Sequence, residues 1–435
     1  MSIKGKVING FIWRFLQNAS AQIINFVISI YLGRLLDPGD YGLVAMISVF
    51  LAIASVFVDP GFSSSVVQKK NINDIDLNTL FWSSLITAVI LYAILYLFAP
   101  LIADFYNQEK LINLLRIESI TIVIASLYTV QNSLLQRELK FKNSFVVRIG
   151  GAIAHGIVGI YLAAKGFGPY ALVYSAIGNN ITTAIIIWLV VNWRPRLCFS
   201  YDSFRNMFSY SFRILSSSLL DTIYNNVRSL IIGKVYSAED LAFYNRGEQF
   251  PTVIMTQIDG SISAVLFPTL SKYQDNWEEG LQKLRRSIKT SFYICTPLMA
   301  GLCAVARPMI LLLLTDKWSG SIEYVRMAAI ICAFWPLSAN NHALNALGKS
   351  KVTLRINTLS KIISLGLLLL TYRKSVKLMI LSVIISSLIC TIINSFIYQK
   401  ELNYRLSDQI SDILPIICIS AIMGFEVYFI AAYDG

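Results

Sequence analysis

Polar side chains recur at helical spacing within a long apolar stretch near the start of the sequence. Arg14, Asn18, Gln22 and Asn25 stand at i, i+4, i+8 and i+11, which places them on one face of a helix. A charge at the centre of a membrane helix costs about 2.5–3.5 kcal/mol, so this face must contact protein or water. Amides and a guanidinium on one face could bind a polar, anionic molecule.

A second apolar stretch carries a similar set of side chains. Asp221, Asn225 and Arg228 stand at i, i+4 and i+7, with Asn226 and Ser218 nearby. Polar groups of this kind often do no more than join neighbouring helices by hydrogen bonds. Because two related stripes occur, we favour a hydrated cavity that binds substrate.

Two further carboxylates lie deep in apolar stretches, each beside a glycine. They occur as Asp59-Pro60-Gly61 and Asp259-Gly260, and His342 lies in another stretch rich in asparagine. These residues are candidates for ion coupling, to H+ or Na+, or for a helix hinge. The alternative is that each is a structural group satisfied by a neighbouring helix.

Arginines stand near the ends of several apolar stretches. Arg116 and Arg326 lie at the predicted outer ends, and Arg148 and Arg355 near the inner ends. Snorkelling to lipid headgroups explains all four. Arg116 and Arg326 could also guide an anionic headgroup, since guanidinium binds phosphate through two hydrogen bonds.

The elements that carry these residues are predicted to be transmembrane helices. Of the 435 residues, 55% are hydrophobic and 14% charged, and the mean hydropathy is +0.60. Apolar blocks of about 20 residues cross the bilayer as helices, because hydrocarbon offers the backbone no hydrogen-bond partner. We expect an all-α, polytopic bundle with thirteen spans, near 10–33, 41–66, 78–103, 112–135, 144–164, 170–192, 207–233, 248–269, 290–314, 322–346, 354–372, 376–398 and 411–432.

Other classes of site find little support in the composition. The six cysteines are scattered without a CxxC pair, and there are two histidines, so we expect no metal site and no cofactor. The net charge of +12 comes mainly from short connections, which argues against nucleic-acid binding. No GxxxxGK[ST] loop is present, so direct ATP hydrolysis is not expected.

Lysine and arginine are distributed unevenly over the connections. The N-terminus and every second connection hold about twice as many as the others, which predicts a cytoplasmic N-terminus. The connection near 373 is the exception. Thirteen spans would place the C-terminus outside.

The sequence contains an internal repeat. A shift of 200 residues places 11–66 over 211–266, so that Asn25 meets Asn225 and Asp59 meets Asp259. With small adjustments of length, Pro100 matches Pro308, Arg116 matches Arg326 and Arg148 matches Arg355. Six spans separate the copies, so both enter the membrane in the same sense, and the interface of such repeats is the usual substrate path. We predict an N-lobe at 1–200, a C-lobe at 201–402 and an additional transmembrane helix at 403–435.

Several motifs resemble the signature of bacterial polysaccharide and O-antigen flippases. They are YLGRLLDPGDYGLVAM at 31–46, PGFSS at 60–64, QKK at 68–70, APLIADFY at 99–106, GFGPYALV at 166–173 and IGKVYS at 232–237. The chain is similar to the colanic-acid-exporter-like branch of the multidrug/oligosaccharidyl-lipid/polysaccharide exporter superfamily. Members of this family often have fourteen spans, so the thirteen predicted here are either a departure from the family, a miscount or the result of truncation, and these alternatives stay open.

The resemblance implies a transporter, not an enzyme, in the bacterial inner membrane. The implied activity is alternating-access translocation of an undecaprenyl-diphosphate-linked oligosaccharide for surface polysaccharide synthesis. Its partners would be this lipid-linked substrate, membrane lipids and other polysaccharide assembly proteins. The alternatives are an ion-coupled multidrug exporter of the same fold, which the cationic cavity disfavours, and a membrane-bound polysaccharide polymerase.

Overall fold

The structure, a computed structural model, describes residues 20–433 except 60, 62, 64, 67, 68, 70 and 71. Arg14 and Asn18 lie outside the described residues. The helices up to residue 235 are α1 Ser20–Leu35, α2 Pro38–Val58, α3 Asp74–Tyr106, α4 Lys110–Glu118, α5 Ile120–Ser126, α6 Thr129–Arg137, α7 Phe141–Ala164, α8 Pro169–Val190 and α9 Tyr201–Val235. They are followed by α10 Ala238–Ser271, α11 Trp277–Ala304, α12 Ala306–Leu314, α13 Ile322–Ala333, α14 Ala339–Ala346, α15 Ser350–Thr371, α16 Val376–Leu402 and α17 Leu406–Tyr433.

The described chain forms helices and no strand, which confirms the all-α, polytopic prediction. Within it, nine helical segments are long and apolar enough to cross a membrane, or eleven if each of two bent pairs is one span. Two of the thirteen predicted spans fall outside that set. The described part of the first, α1, is short, and the seventh, α9, is too polar. These two helices carry the predicted substrate-binding stripes.

Helix ends follow from local sequence. A capping box at Asn73 and Asp76 starts α3, and Asn107, in the left-handed conformation at a φ of 55°, ends it. The turn between α7 and α8 uses Gly166 and Gly168 at φ of 80° and 56°, and Pro169 then begins α8. These signals belong to the motif at 166–173.

The chain divides into two compact units, residues 1–241 and 242–435. In the first unit, α9 packs against α2 and α3. The connection before α9 is fastened to α3: the backbone N–H of Arg196 donates to Asn78 at 2.6 Å, and Trp82 donates to the carbonyl of Arg196 at 2.8 Å. This division reflects packing, whereas the predicted boundaries at 200 and 402 concern copies of a repeat and stay a prediction.

Each unit contains a helical span with the same pattern of burial. The buried, half-buried and exposed positions of residues 111–126 recur without change at 321–336. Further along, Leu139 and Gly348, 209 residues apart, both have positive φ, of 53° and 73°. Since burial and backbone conformation recur together, the repeat seen in the sequence extends to the packing of each unit.

The matched prolines of the repeat have different surroundings. Proline cannot donate a backbone hydrogen bond and its ring clashes with the carbonyl four residues earlier. In the second unit the helix breaks before Pro308, and α11 and α12 are bent by 69°. In the first unit α3 continues through Pro100, and the carbonyl of Tyr96 instead accepts a hydrogen bond from Nε of Arg116 at 3.2 Å.

The thirteenth predicted span, α17, packs along α11 of the second unit. Its Asp412 side chain is 1% exposed and accepts hydrogen bonds from Arg285 at 2.7 and 3.0 Å. The Asp412 carboxylate also forms an ion pair with Lys289 at 2.8 Å and accepts a hydrogen bond from the Tyr404 hydroxyl at 2.9 Å. Burial and the bond to Asp412 raise the pKa of Tyr404, so this hydroxyl stays a donor. The additional helix is therefore firmly attached to the second unit.

Candidate functional site

Helix α1 has a packed face that explains two glycines of α7. Ile28 and Leu32 of α1 are buried, and they meet α7 at Gly156 and Gly159. A Cβ atom at Gly156 would lie 2.7 Å from Cδ1 of Ile28, so a larger residue there would push the helices apart. This contact fixes which side of α1 is turned away from the unit.

The remaining surface of α1 divides into an apolar and a polar face. Ile23, Val27 and Tyr31 are 63%, 45% and 55% exposed. At about 100° per residue, these three lie on the opposite side of the helix from Gln22 and Asn25. Asn25 is exposed and Gln22 half-buried. The apolar face suits lipid, which leaves the polar face for contact with protein, water or substrate.

Helix α9 shows the same separation. Asp221 and Asn225 are exposed and Arg228 is half-buried, all on one face of the helix. Leu220 and Ile223, 68% and 44% exposed, lie on a different face. The centres of the two faces are about 140° apart around the helix axis.

Asn226 stands apart from this face. Its side-chain amide donates to the carbonyl of Thr222 at 2.8 Å, within the same helix. The structure therefore brings Asp221, Asn225 and Arg228 together but leaves Asn226 on another side of α9.

A hydrogen-bonded node surrounds Asp59 in the first unit. Helix α2 ends at Val58, and Gly61 follows with a φ of 87°. The Asp59 carboxylate accepts from the backbone N–H of Ser63 at 3.0 Å and from the Ser63 hydroxyl. Ser133 of α6 donates to the Ser63 hydroxyl at 2.8 Å. The node thus joins the broken end of α2 to the bent span α4–α6.

A related node surrounds Asp259 in the second unit. Ser338 donates to the Asp259 carboxylate at 2.7 Å, and Ser263 and Nε2 of His342 are hydrogen-bonded at 2.9 Å. Ser133 and His342 are 209 residues apart and occupy corresponding places. Unlike α2, however, α10 continues through Asp259. A break that could act as a hinge is therefore present at Asp59, whereas the backbone at Asp259 is helical.

Sequence reasoning missed the partners in these nodes. Ser133 and Ser338 contact residues 70 and 79 positions away, and neither belongs to a recognisable motif. Gln131 was also missed; it corresponds in the repeat to Asn340, which stands in the asparagine-rich stretch around His342, and both side chains are fully buried. Within the described chain neither side-chain amide has a hydrogen-bond partner. The sequence carried one signal for these nodes: in both copies of the repeat, a serine follows the aspartate by four residues, as Ser63 follows Asp59 and Ser263 follows Asp259.

The outer arginines each lie over a tyrosine. The guanidinium carbon of Arg116 is 4.3 Å from the ring centre of Tyr96, and that of Arg326 is 5.4 Å from Tyr428. Nε of Arg116 also donates to the backbone carbonyl of Tyr96. The tyrosine below Arg326 belongs to α17, which lies after both predicted copies of the repeat.

These features define the class of the protein. Many of the described helices are long enough to span a bilayer, and α1 and α9 each carry separate apolar and polar faces. This is the construction of a polytopic membrane transport protein.

The family model described as polysaccharide biosynthesis protein matches residues 31–323. Because the match covers more than half of the sequence, the chain belongs to this family.

Individual relatives and a solved structure agree with this placement. The chain is 26% identical over 339 residues to the teichuronic acid biosynthesis protein TuaB of Bacillus subtilis (strain 168). This alignment covers 76% of this chain and 69% of the relative. It is 23% identical over 337 residues to the lipopolysaccharide biosynthesis protein WzxC of Escherichia coli (strain K12), covering 76% and 68%. The fold matches that of the lipid II flippase MurJ in an inward closed conformation with a TM-score of 0.75 at 16% identity, covering 98% of both chains. The predicted class, a membrane transporter and not an enzyme, is confirmed.

Proposed function

We propose that this chain is a flippase that moves an undecaprenyl-diphosphate-linked oligosaccharide repeat unit from the cytoplasmic to the periplasmic leaflet of the bacterial inner membrane. The saccharide would then be used for a surface polysaccharide. Family membership supports this proposal, as do the names of relatives that act in polysaccharide biosynthesis.

The polar faces of α1 and α9 are the observation that carries the proposal. A saccharide needs many hydrogen bonds, which Gln22, Asn25 and Asn225 can supply from exposed or half-buried positions. The diphosphate needs cations, for which Arg228 and Arg14 are the candidates. The prenyl chain would stay in the hydrocarbon of the bilayer.

Ion coupling is part of the same proposal. Movement against a gradient of substrate would draw on H+ or Na+, with Asp59, Asp259 and His342 as candidate groups. The two nodes support this choice because each joins an aspartate region to a neighbouring helical span, so a change of charge would alter the contact between two helices.

Complementation of a flippase-null strain tests the proposal. We expect the double variant Arg14→Ala, Arg228→Ala to lose surface polysaccharide and to accumulate lipid-linked intermediate in the inner leaflet. Leu220→Ala, on the apolar face of α9, is the matched control and should complement normally. Normal polysaccharide in the double variant, at equal protein abundance, would contradict the assignment of these arginines.

A further inference from the structure

The second unit contains two adjoining clefts, of about 460 and about 520 Å³. The first is almost entirely apolar and lies between α11, α13 and α17. Its lining includes Met299, Cys303, Phe334, Ala421 and Phe425. Clefts of this size are typical of sites for small molecules.

The apolar cleft is open on the side of α17. Phe425 is 65% exposed and Ile330 45% exposed, so both present apolar surface to the surroundings. The lining of α17 extends from Ile417 to Tyr428, a length of about 16 Å at the helical rise. A long, open, apolar cleft in a membrane helix bundle fits a hydrocarbon chain.

The second cleft carries charges of both signs at the predicted outer end of the helices. Its lining includes Arg307, Arg326, Asp316 and Glu323. Glu323 also forms an ion pair with Lys377 at 2.5 Å. Arg326 lines both clefts, so a guanidinium stands where the apolar and charged parts meet.

We propose that these clefts together bind one bilayer phospholipid with a phosphoethanolamine head group. An acyl chain occupies the apolar cleft, and the phosphate lies against Arg326 and Arg307. The ammonium group lies against the carboxylates of Asp316 and Glu323. Charge complementarity favours this occupant, because a purely anionic head group would bring negative charge to Asp316 and would compete with Glu323 for its partner Lys377.

The repeat offers an internal comparison. Arg116 occupies the position that corresponds to Arg326 and also lies over a tyrosine. Its Nε, however, is bonded to the carbonyl of Tyr96, whereas the wall beside Arg326 is supplied by α17. The site is therefore expected in the second unit and not at Arg116.

Native mass spectrometry of the purified full chain in mild detergent tests the proposal. The probes are phosphatidylethanolamine, phosphatidylglycerol and a polyprenyl phosphate, each added separately. We expect one tightly held phosphatidylethanolamine, and about tenfold weaker binding in Arg326→Ala, which loses the charge-assisted contact. Ala421→Trp should also lose the lipid, because the indole fills the apolar cleft without changing any charge.

Arg355→Ala, at an exposed arginine of the same unit outside both clefts, serves as the matched control and should hold the lipid as the wild-type chain does. Thermal unfolding of each variant establishes that it is folded. Equal retention of phosphatidylethanolamine in Ala421→Trp, or a preference for phosphatidylglycerol or the polyprenyl phosphate, would overturn the proposal. Binding is measured without transport, so this result is independent of the proposed flippase activity.

Discussion

At the scale of single residues, Arg116 illustrates how one side chain can have two interpretations. Its place near a predicted helix end suggested a role at the lipid headgroups. In the structure, its Nε donates to the carbonyl of Tyr96, four residues before Pro100. In a continuous helix that carbonyl would accept from residue 100, but proline has no N–H. Arg116 therefore replaces a missing backbone donor, and headgroup guidance stays a prediction.

A double-mutant cycle tests this replacement. We expect Arg116→Ala to lower the free energy of unfolding by about 1–3 kcal/mol, because a carbonyl loses its partner. Pro100→Ala restores the N–H and should recover much of that loss when both changes are combined. Thermal unfolding in detergent micelles measures both effects. Additive effects of the two changes would contradict the replacement, and Arg355→Ala, at an exposed arginine of α15, is the control.

The predicted polar residues differ in how far sequence alone could place them. Helical spacing put Asp221, Asn225 and Arg228 on one face because the period of a helix is fixed. Spacing also marked Asn226 as a neighbour of this face. Its side-chain amide, however, donates a hydrogen bond to the carbonyl of Thr222 within α9. The hydroxyl partner of the Asp59 node, Ser133, depends on how α2 meets α6, which no local pattern encodes.

At the scale of elements, the attachment of α17 rests on a buried carboxylate. Asp412 is held by Arg285, Lys289 and Tyr404, which come from α11 and from the turn before α17. A buried charge is stable only while its donors remain, so these contacts fix both the position and the rotation of α17. Without them the helix would keep its apolar contacts and the hydrogen bond from Gln409 to the carbonyl of Ser395.

Removal of one donor should loosen this helix. We expect Arg285→Ala to destabilise the second unit by about 1–3 kcal/mol, since Asp412 keeps only part of its hydrogen bonds. Limited proteolysis in the turn before α17 and thermal unfolding would both report the change. The adjacent, exposed Arg286→Ala should have little effect. Adding Asp412→Asn to Arg285→Ala should restore part of the stability, and failure of this rescue would show that charge is not the cause.

At the scale of the whole molecule, the sequence predicts how the chain is oriented in the membrane. Connections rich in lysine and arginine alternate with poorer ones, and the richer set includes the segment between α8 and α9. Cys198 lies in that segment and is exposed. It is therefore predicted to face the cytoplasm, on the same side as the N-terminus.

A variant that keeps only Cys198 tests this orientation. A membrane-impermeant maleimide should label it in inverted vesicles and not in intact spheroplasts. Lys165→Cys in the same background, on the connection between α7 and α8, should show the reverse pattern. Labelling of Cys198 from outside would place the N-terminus in the periplasm and contradict the predicted orientation.

Two properties of the protein follow from the sequence by itself. Apolar length determines that the chain is a helical membrane protein, because hydrocarbon leaves the backbone no partner except its own helix. The periodic placement of Gln22, Asn25, Asp221, Asn225 and Arg228 determines that two helices carry polar faces.

The tertiary structure decided which of the other polar residues act together. It placed Ser133 and His342 at the two carboxylate nodes, gave Arg116 the carbonyl of Tyr96, and attached α17 through Asp412. These contacts join residues far apart in the chain, and each depends on the depth and rotation of packed helices. Hydropathy and helical period describe one helix at a time, so they carry no information on which residues of two helices meet.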